Sequence, residues 1–268
     1  MSGFSAQWLG LRDPYDLRAR NGLVLDAVLD LLTGRPSVSL IDLACGTGST
    51  FRALSPRITA RQHWRLVDND LSLLARVPKS SPPDITVTAV PVDLNRDLEA
   101  ALDGVADLIT TSALLDLVSG EWLDRLAVEA AVRRLPVYAA LTYDGRAEFT
   151  PIDALDGRVV HAVNRHQLTD KGFGPALGPS AAKAAVAAFE RVGYHVTDGF
   201  SDWKFSPADR EIQTEILVGW AAAARMIGNP RPSQIKDWLT RRRHLVADGR
   251  SSLRIGHVDF LARPTGTR

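Results

Sequence analysis

Residues 39–50, SLIDLACGTGST, run from an apolar stretch into a turn that holds an acid, the chain's single cysteine and two glycines. Gly46 and Gly48 permit a tight turn and let backbone come close to a ligand. A turn of this kind, behind a buried strand and ahead of a helix, is where open parallel sheets bind nucleotides. The dinucleotide fingerprint is nevertheless incomplete. Its third glycine position is Phe51, which is too large for close helix–strand packing. Asp42 also stands where a pyrophosphate would bring negative charge, so the turn suits a ligand carrying a positive group.

Outward from this turn, short apolar runs alternate with helical patterns. VSLIDL (38–43), HWRLVD (63–68), ITVTAVPVD (85–93), ADLITTSALLDLV (106–118) and PVYAALTYD (136–144) read as strands with crossovers between them. They are near-continuous rather than alternating, as burial on both faces of a parallel sheet requires. Before them, the first 35 residues read as helix, closed by Gly34 and Pro36. After them come an amphipathic helix (SAAKAAVAAFERVGY), a strand (HVTDGFSDWKF), two helices and a last strand (SLRIGHVDFLAR). Segment 145–178 is loop-rich and reads as an insertion.

The motifs at the strand ends resemble those of the class I S-adenosylmethionine-dependent methyltransferases. The first motif of that family is an acid followed by three small residues at alternate positions, met here by Asp42, Ala44, Gly46 and Gly48. Asp68, in LVDND, lies 20 residues beyond Gly48, the spacing of a carboxylate that accepts both ribose hydroxyls. In the resembling family Asp93 of PVDL would bond the adenine amino group, Leu94 would pack on the ring, and Ser112 would lie beneath the methionine moiety. The resemblance covers about residues 36–145 and implies S-adenosyl-L-methionine as cofactor. It also implies a Rossmann-like α/β fold: a doubly wound, seven-stranded, mostly parallel sheet with an antiparallel last strand and helices on both faces.

The expected organisation is one domain over 1–268, with a helical cap at 1–35, a cofactor-binding core at 36–145, a substrate-side insertion at 146–180 and a C-terminal part at 181–268. Within that last part, 206–248 reads as a helical insertion. The acceptor side should draw on Asp116, Tyr143 and the stretch NRHQLTDKGFGPALGP, where His166 is the preferred general base because imidazole titrates near neutral pH. Trp8, Arg12, Tyr15, Arg18 and Arg20 would fold over the cofactor or form a solvated helix face. Arginines there could meet a carboxylate of the methionine or of an acidic substrate. RRRH at 241–244 reads as an exposed basic run.

Composition narrows the classes. With 45% apolar and 24% charged residues and a net charge of +1, the chain is of ordinary globular type, with no electrostatic reason to expect nucleic acid or a membrane surface as partner. One cysteine forms no internal disulfide and suits a reducing, cytoplasmic setting. No metal is expected from six scattered histidines without cysteine pairs. The leading expectation is therefore methyl transfer to a small-molecule acceptor by in-line displacement. A non-catalytic S-adenosylmethionine-binding protein and an NAD-dependent oxidoreductase are the alternatives.

Overall fold

The N-terminal helix is two helices. In the computed structural model, which describes residues 4–77 and 82–266, α1 (Ala6–Ala19) ends at Arg20 and α2 (Gly22–Leu32) restarts after it. Asn21 is the reason for the break, because its side chain accepts the Val24 amide at 3.1 Å and caps the second helix.

β1 (Ser37–Leu43) buries both faces. Val38 and Leu40 belong to one apolar cluster, whereas Ile41 and Leu43 belong to another, which is the two-residue period of a central strand. After it follow α3 (Ser49–Leu54), β2 (Arg61–Asp68), α4 (Leu71–Leu74), β3 (Ile85–Pro91), α5 (Leu98–Ala101), β4 (Leu108–Ser112), α6 (Gly120–Arg133) and β5 (Val137–Thr150). Helices α5 and α6 pack on the Ile41 side, and α2, α3 and α4 on the Leu40 side. Phe51, at the third glycine position of the dinucleotide fingerprint, is buried in the core. It lies in the Leu40 cluster with its ring edge-on to Trp64, centroids 5.3 Å apart.

The chain continues with α7 (Asp156–Gln167), α8 (Ala181–Arg191), β6 (Tyr194–Phe200), β7 (Trp203–Phe205), α9 (Arg210–Ile227), α10 (Pro232–Ala247) and β8 (Ser252–Pro264). The strands form one sheet in the order β3-β2-β1-β4-β5-β8-β6, with β7 pairing β8 beside that path. β1 to β5 run parallel, and β8 is antiparallel to β5, β6 and β7. This is the expected Rossmann-like sheet with an antiparallel last strand, plus one short strand. The run expected as a single strand over 195–205 is divided at Ser201 and Asp202, and both halves use β8.

β5 is longer than its apolar run. It extends to Thr150 because β8 continues beside it, pairing Ala147 with Ile255 and Thr150 with Ser252. Two register shifts, around Leu141 and Asp144, interrupt the ladder, and Leu141 has φ +55°. Its amide donates to Asp259 Oδ1 at 2.8 Å, which holds this unfavourable backbone in place. Around the extension, α7, α9, α10 and β7 form a third apolar cluster that includes Tyr143, Trp203 and Ile255. Arg242 lies at its base, fully buried and paired with Asp156, so RRRH is not a uniformly exposed basic run.

Candidate functional site

The turn after β1 is built from left-handed backbone. Ala44, Gly46 and Gly48 have φ of +52°, +55° and +87°. The Cys45 amide donates to the Val67 carbonyl at 2.9 Å, tying the turn to β2, and the Gly48 amide donates to the Cys45 carbonyl at 2.8 Å. Asp68 holds the turn from the side. Its Oδ2 accepts the Gly46 amide and its Oδ1 the Asp70 amide, each at 2.9 Å. Asp70, the neighbouring acid, instead caps α4 by accepting the Ser72 amide at 2.8 Å.

Ala44, Cys45, Gly46, Asp68 and Asp70 form one wall of a cleft of about 740 Å³ beyond the carboxyl ends of β1, β2 and β4. Ala44, Gly46, Asp68, Asp93, Leu94 and Ser112, six of the residues expected to bind cofactor, line it. Asp93 Oδ1 accepts the Asn95 amide at 3.0 Å, and the carbonyl of the buried Leu94 accepts Trp122 Nε1–H at 2.8 Å. Ser49 Oγ and Ser112 Oγ, both on lining residues, are buried without a hydrogen-bond partner among the described residues.

Asp42 and Gly48 stand apart from this wall. Gly48 is the N-cap residue of α3. Asp42 is 1% exposed and lies beneath the turn, where its Oδ1 accepts Thr110 Oγ1 at 2.7 Å and its Oδ2 has no partner. Burial pushes its carboxyl up to about 7, against the pull of Thr110, Arg20 and Thr50. Cys45 is no nucleophile in waiting, because burial and then the charges of Asp42 and Asp68 push its thiol well above the usual range.

The opposite wall comes from α1 and from the segment after α7. Arg12 Nε donates to Asp16 Oδ2 at 2.8 Å, and both residues line the cleft. Trp203 Nε1 also donates to Asp16, at 3.0 Å. Lys171, Gly172 and Phe173 close the far end. Asn95 Nδ2 donates to the Gly172 carbonyl at 2.9 Å, and Phe173 stands edge-on to Trp122. Of the other N-terminal residues, Arg20 is buried and donates to Tyr138 and Thr50, while Tyr15 donates to Asp209 at 2.8 Å.

A second cavity, of about 630 Å³, adjoins the first. Arg12, Ala113, Leu117 and Lys171 line both. Asp116, Tyr143 and His166, far apart in sequence, all line the second, together with Trp8, Trp203, Trp220 and His257. Asp116 is raised to about 6 by burial, which outweighs its own amide, Arg12 and the Tyr143 amide. Tyr143 donates its hydroxyl to Asn164 Oδ1 at 2.6 Å, and burial raises it far above the usual phenol range. His166 is lowered, first by burial and then by Lys171, whose Nζ lies 3.4 Å from His166 Nδ1. His257 is lowered to about 3 by burial and then Arg12, although the Ile255 carbonyl and Asp202 oppose this.

Among solved structures, the chain is similar to a cyclopropane-fatty-acyl-phospholipid synthase-like protein from Lactobacillus casei, at TM-score 0.55 and 14% identity over 97% of this chain and 94% of that one. It is similar also to the cyclopropane synthase MmaA2 from Mycobacterium tuberculosis, at TM-score 0.52 and 12% identity over 97% and 95%. A third, a candidate methyltransferase from Bacillus halodurans, matches at TM-score 0.50 and 13% identity over 91% of this chain and 100% of that one. No family model and no curated protein matches the chain. The fold is that of the class I methyltransferases.

In this methyltransferase fold, Arg12, Asp16 and His257 are among the lining residues that stand outside the motifs. Asp16 and Arg12 share one face of α1 through their four-residue spacing, a legible signal, but only tertiary packing brings that face to the cleft. His257 has no local signal, because it arrives on β8 from the far end of the chain. No helix among the described residues is long and apolar enough to cross a membrane.

Proposed function

We propose that this chain transfers a methyl group from S-adenosylmethionine, held in the first cleft, to a small molecule held in the second cavity. The observation that carries the reading is the charge of the cleft. Asp16, Asp68, Asp70 and Asp93 line it against Arg12 and Lys171, and Arg12 is already paired with Asp16. A sulfonium and an ammonium suit such a wall, whereas a pyrophosphate would be repelled.

The residues present fit the group. Asp68 is fixed by two backbone amides at the glycine turn, where it would take the ribose hydroxyls. Asp93 and Leu94 would hold adenine. Ser49 and Ser112 bring unpartnered hydroxyls to the wall. Gly46 is needed because a Cβ there would stand 3.2 Å from Leu9 Cδ1, at φ +55°. Asp42 lies beneath the turn, bonded to Thr110, and does not line the cleft.

The bound sulfonium would supply an activated methyl group. The chain's own work is alignment and exclusion of water, which α1, Phe173 and the aromatic residues of the second cavity serve. A cavity of about 630 Å³ is the size of a small-molecule site, and a non-catalytic binder would have no use for it. Calorimetric titration with S-adenosylhomocysteine tests the reading. Binding that is lost in Asp68→Ala supports it, and absence of binding to the unaltered chain refutes it.

A further inference from the structure

We propose that the methyl acceptor is a flat, mostly apolar, uncharged molecule bearing one weakly acidic hydroxyl, and that Asp116 receives the proton of that hydroxyl. This inference rests on the methyl-transfer reading above. Its first support is the shape and chemistry of the walls. Trp8 and Trp203 stand edge to face, 6.5 Å between centroids, and the His257 ring lies 4.8 Å from Trp203 and 6.0 Å from Tyr143. Trp220, Ile216 and Ile255 complete an apolar surround. Rings of this kind favour a planar guest over a branched polar one.

The second support is what remains open among the polar groups. Tyr143 gives its hydroxyl to Asn164, and Lys171 is spent on the His166 carbonyl at 3.0 Å and Thr169 Oγ1 at 2.8 Å. Arg12 is paired with Asp16, and His257 Nδ1 lies 3.2 Å from the Ile255 carbonyl. Asp116, 5% exposed, is the exception, because its Oδ1 has no partner among the described residues. A buried carboxylate oxygen without a donor is costly, and a ligand hydroxyl would satisfy it. Asp116 is therefore the unpartnered acceptor of these walls, whereas the two cations, Arg12 and Lys171, sit where the cavity meets the cleft and are already bonded to Asp16, His166 and Thr169.

The third support is the charge balance. The hydroxyl proton passes to Asp116 as the oxygen's electron pair forms the bond to the donated methyl carbon. The carbon–sulfur bond breaks with its pair retained by sulfur, which leaves as a neutral thioether. One positive and one negative charge disappear, which a low-dielectric cavity favours. Burial also raises the Asp116 carboxyl to about 6, close to where a general base works best near neutral pH.

The test is a binding series read from quenching of tryptophan fluorescence, using naphthalene, 2-naphthol and 2-naphthoate as probes with S-adenosylhomocysteine present. The expected order is 2-naphthol tightest, naphthalene weaker and 2-naphthoate weakest. Asp116→Asn should weaken 2-naphthol by about 10- to 100-fold, the worth of a hydrogen bond to a charged group, and leave naphthalene unchanged, which also reports that the variant is folded. Naphthoate binding as tightly as naphthol, naphthol binding untouched by the substitution, or no probe binding at all would overturn the proposal. The probe ranking on the unaltered chain decides even where the variant does not fold. Calorimetry with S-adenosylhomocysteine on the same sample separates the two layers, because loss of that signal refutes methyl transfer, whereas its presence with the wrong probe order refutes only the acceptor class.

Discussion

Replacing Asp42 by Asn should make the protein more stable at pH 8 while weakening its cofactor site. The carboxyl is almost fully buried, and one oxygen has no partner. A rise from 3.8 to about 7 means that ionising it in the folded state costs about 4 kcal/mol more than in the unfolded chain. Between those pH values the folded state binds the extra proton, so stability falls as pH rises through the window and levels off above about 7. Asn removes the ionisation and still accepts Thr110 Oγ1, but its amide would stand where Oδ2 lacks a partner, at a cost of about 1–3 kcal/mol. The net expectation is a gain of about 1–3 kcal/mol at pH 8 that shrinks to nothing or reverses near pH 4. Urea unfolding of both proteins across pH 4 to 8 measures it. Asp116, raised to about 6, and His257, lowered to about 3, titrate in both proteins and cancel in the difference. A variant less stable than the parent at pH 8, or a difference that does not change with pH, would refute the account of Asp42 as a buried, functionally retained charge.

Four further substitutions probe other parts of the structure. Asp68→Ala removes the acceptor of the Gly46 and Asp70 amides as well as the proposed ribose contact, so S-adenosylhomocysteine affinity should fall by at least about 100-fold in calorimetry, and an unchanged affinity would mean that the contact is misassigned. Asp156→Ala leaves Arg242 buried without its charge partner and strips Trp238 Nε1 of its acceptor, so unfolding free energy should drop by about 3–5 kcal/mol in denaturant titration. Once an acceptor is turned over, Asp116→Asn should lower kcat by about 10²- to 10⁴-fold, and the activity of the unaltered enzyme should rise with pH through about 6 as the carboxylate forms. His166→Ala should cost less than about tenfold in the same assay, because burial and the Lys171 ammonium beside Nδ1 lower the basicity of that ring.

The sheet was legible because its strands are buried on both faces. Val38, Leu40, Ile41 and Leu43 make a run that only a central strand needs, and the glycine turn marks its carboxyl end. The places of the remaining site residues followed from the same logic, since Asp68, Asp93 and Ser112 stand at or just beyond the ends of successive strands and line one cleft. Asp42 was harder to read. Strand-end position shows which residue carries the charge, but not that the side chain turns into the layer below, toward Thr110. The acceptor cavity was legible only in pieces. Asp116, Tyr143 and His166 each carried local polar character, whereas Trp203 and His257 reach the cavity through β7 and β8, whose pairing with an overlong β5 is a long-range event. Arg242 was misread for a similar reason, because a run of like charges says nothing about which member meets Asp156 in the core.

The central claim is that the cleft beyond β1, β2 and β4 takes an S-adenosyl amino acid, whose amino-acid end carries an ammonium, rather than a dinucleotide. Parallel calorimetric titrations of the unaltered protein with S-adenosylhomocysteine, S-adenosylmethionine and NAD⁺ test it most directly. The account predicts saturable one-to-one binding of the first two and none of the third. Saturable NAD⁺ binding, with no heat from either S-adenosyl compound, would contradict it.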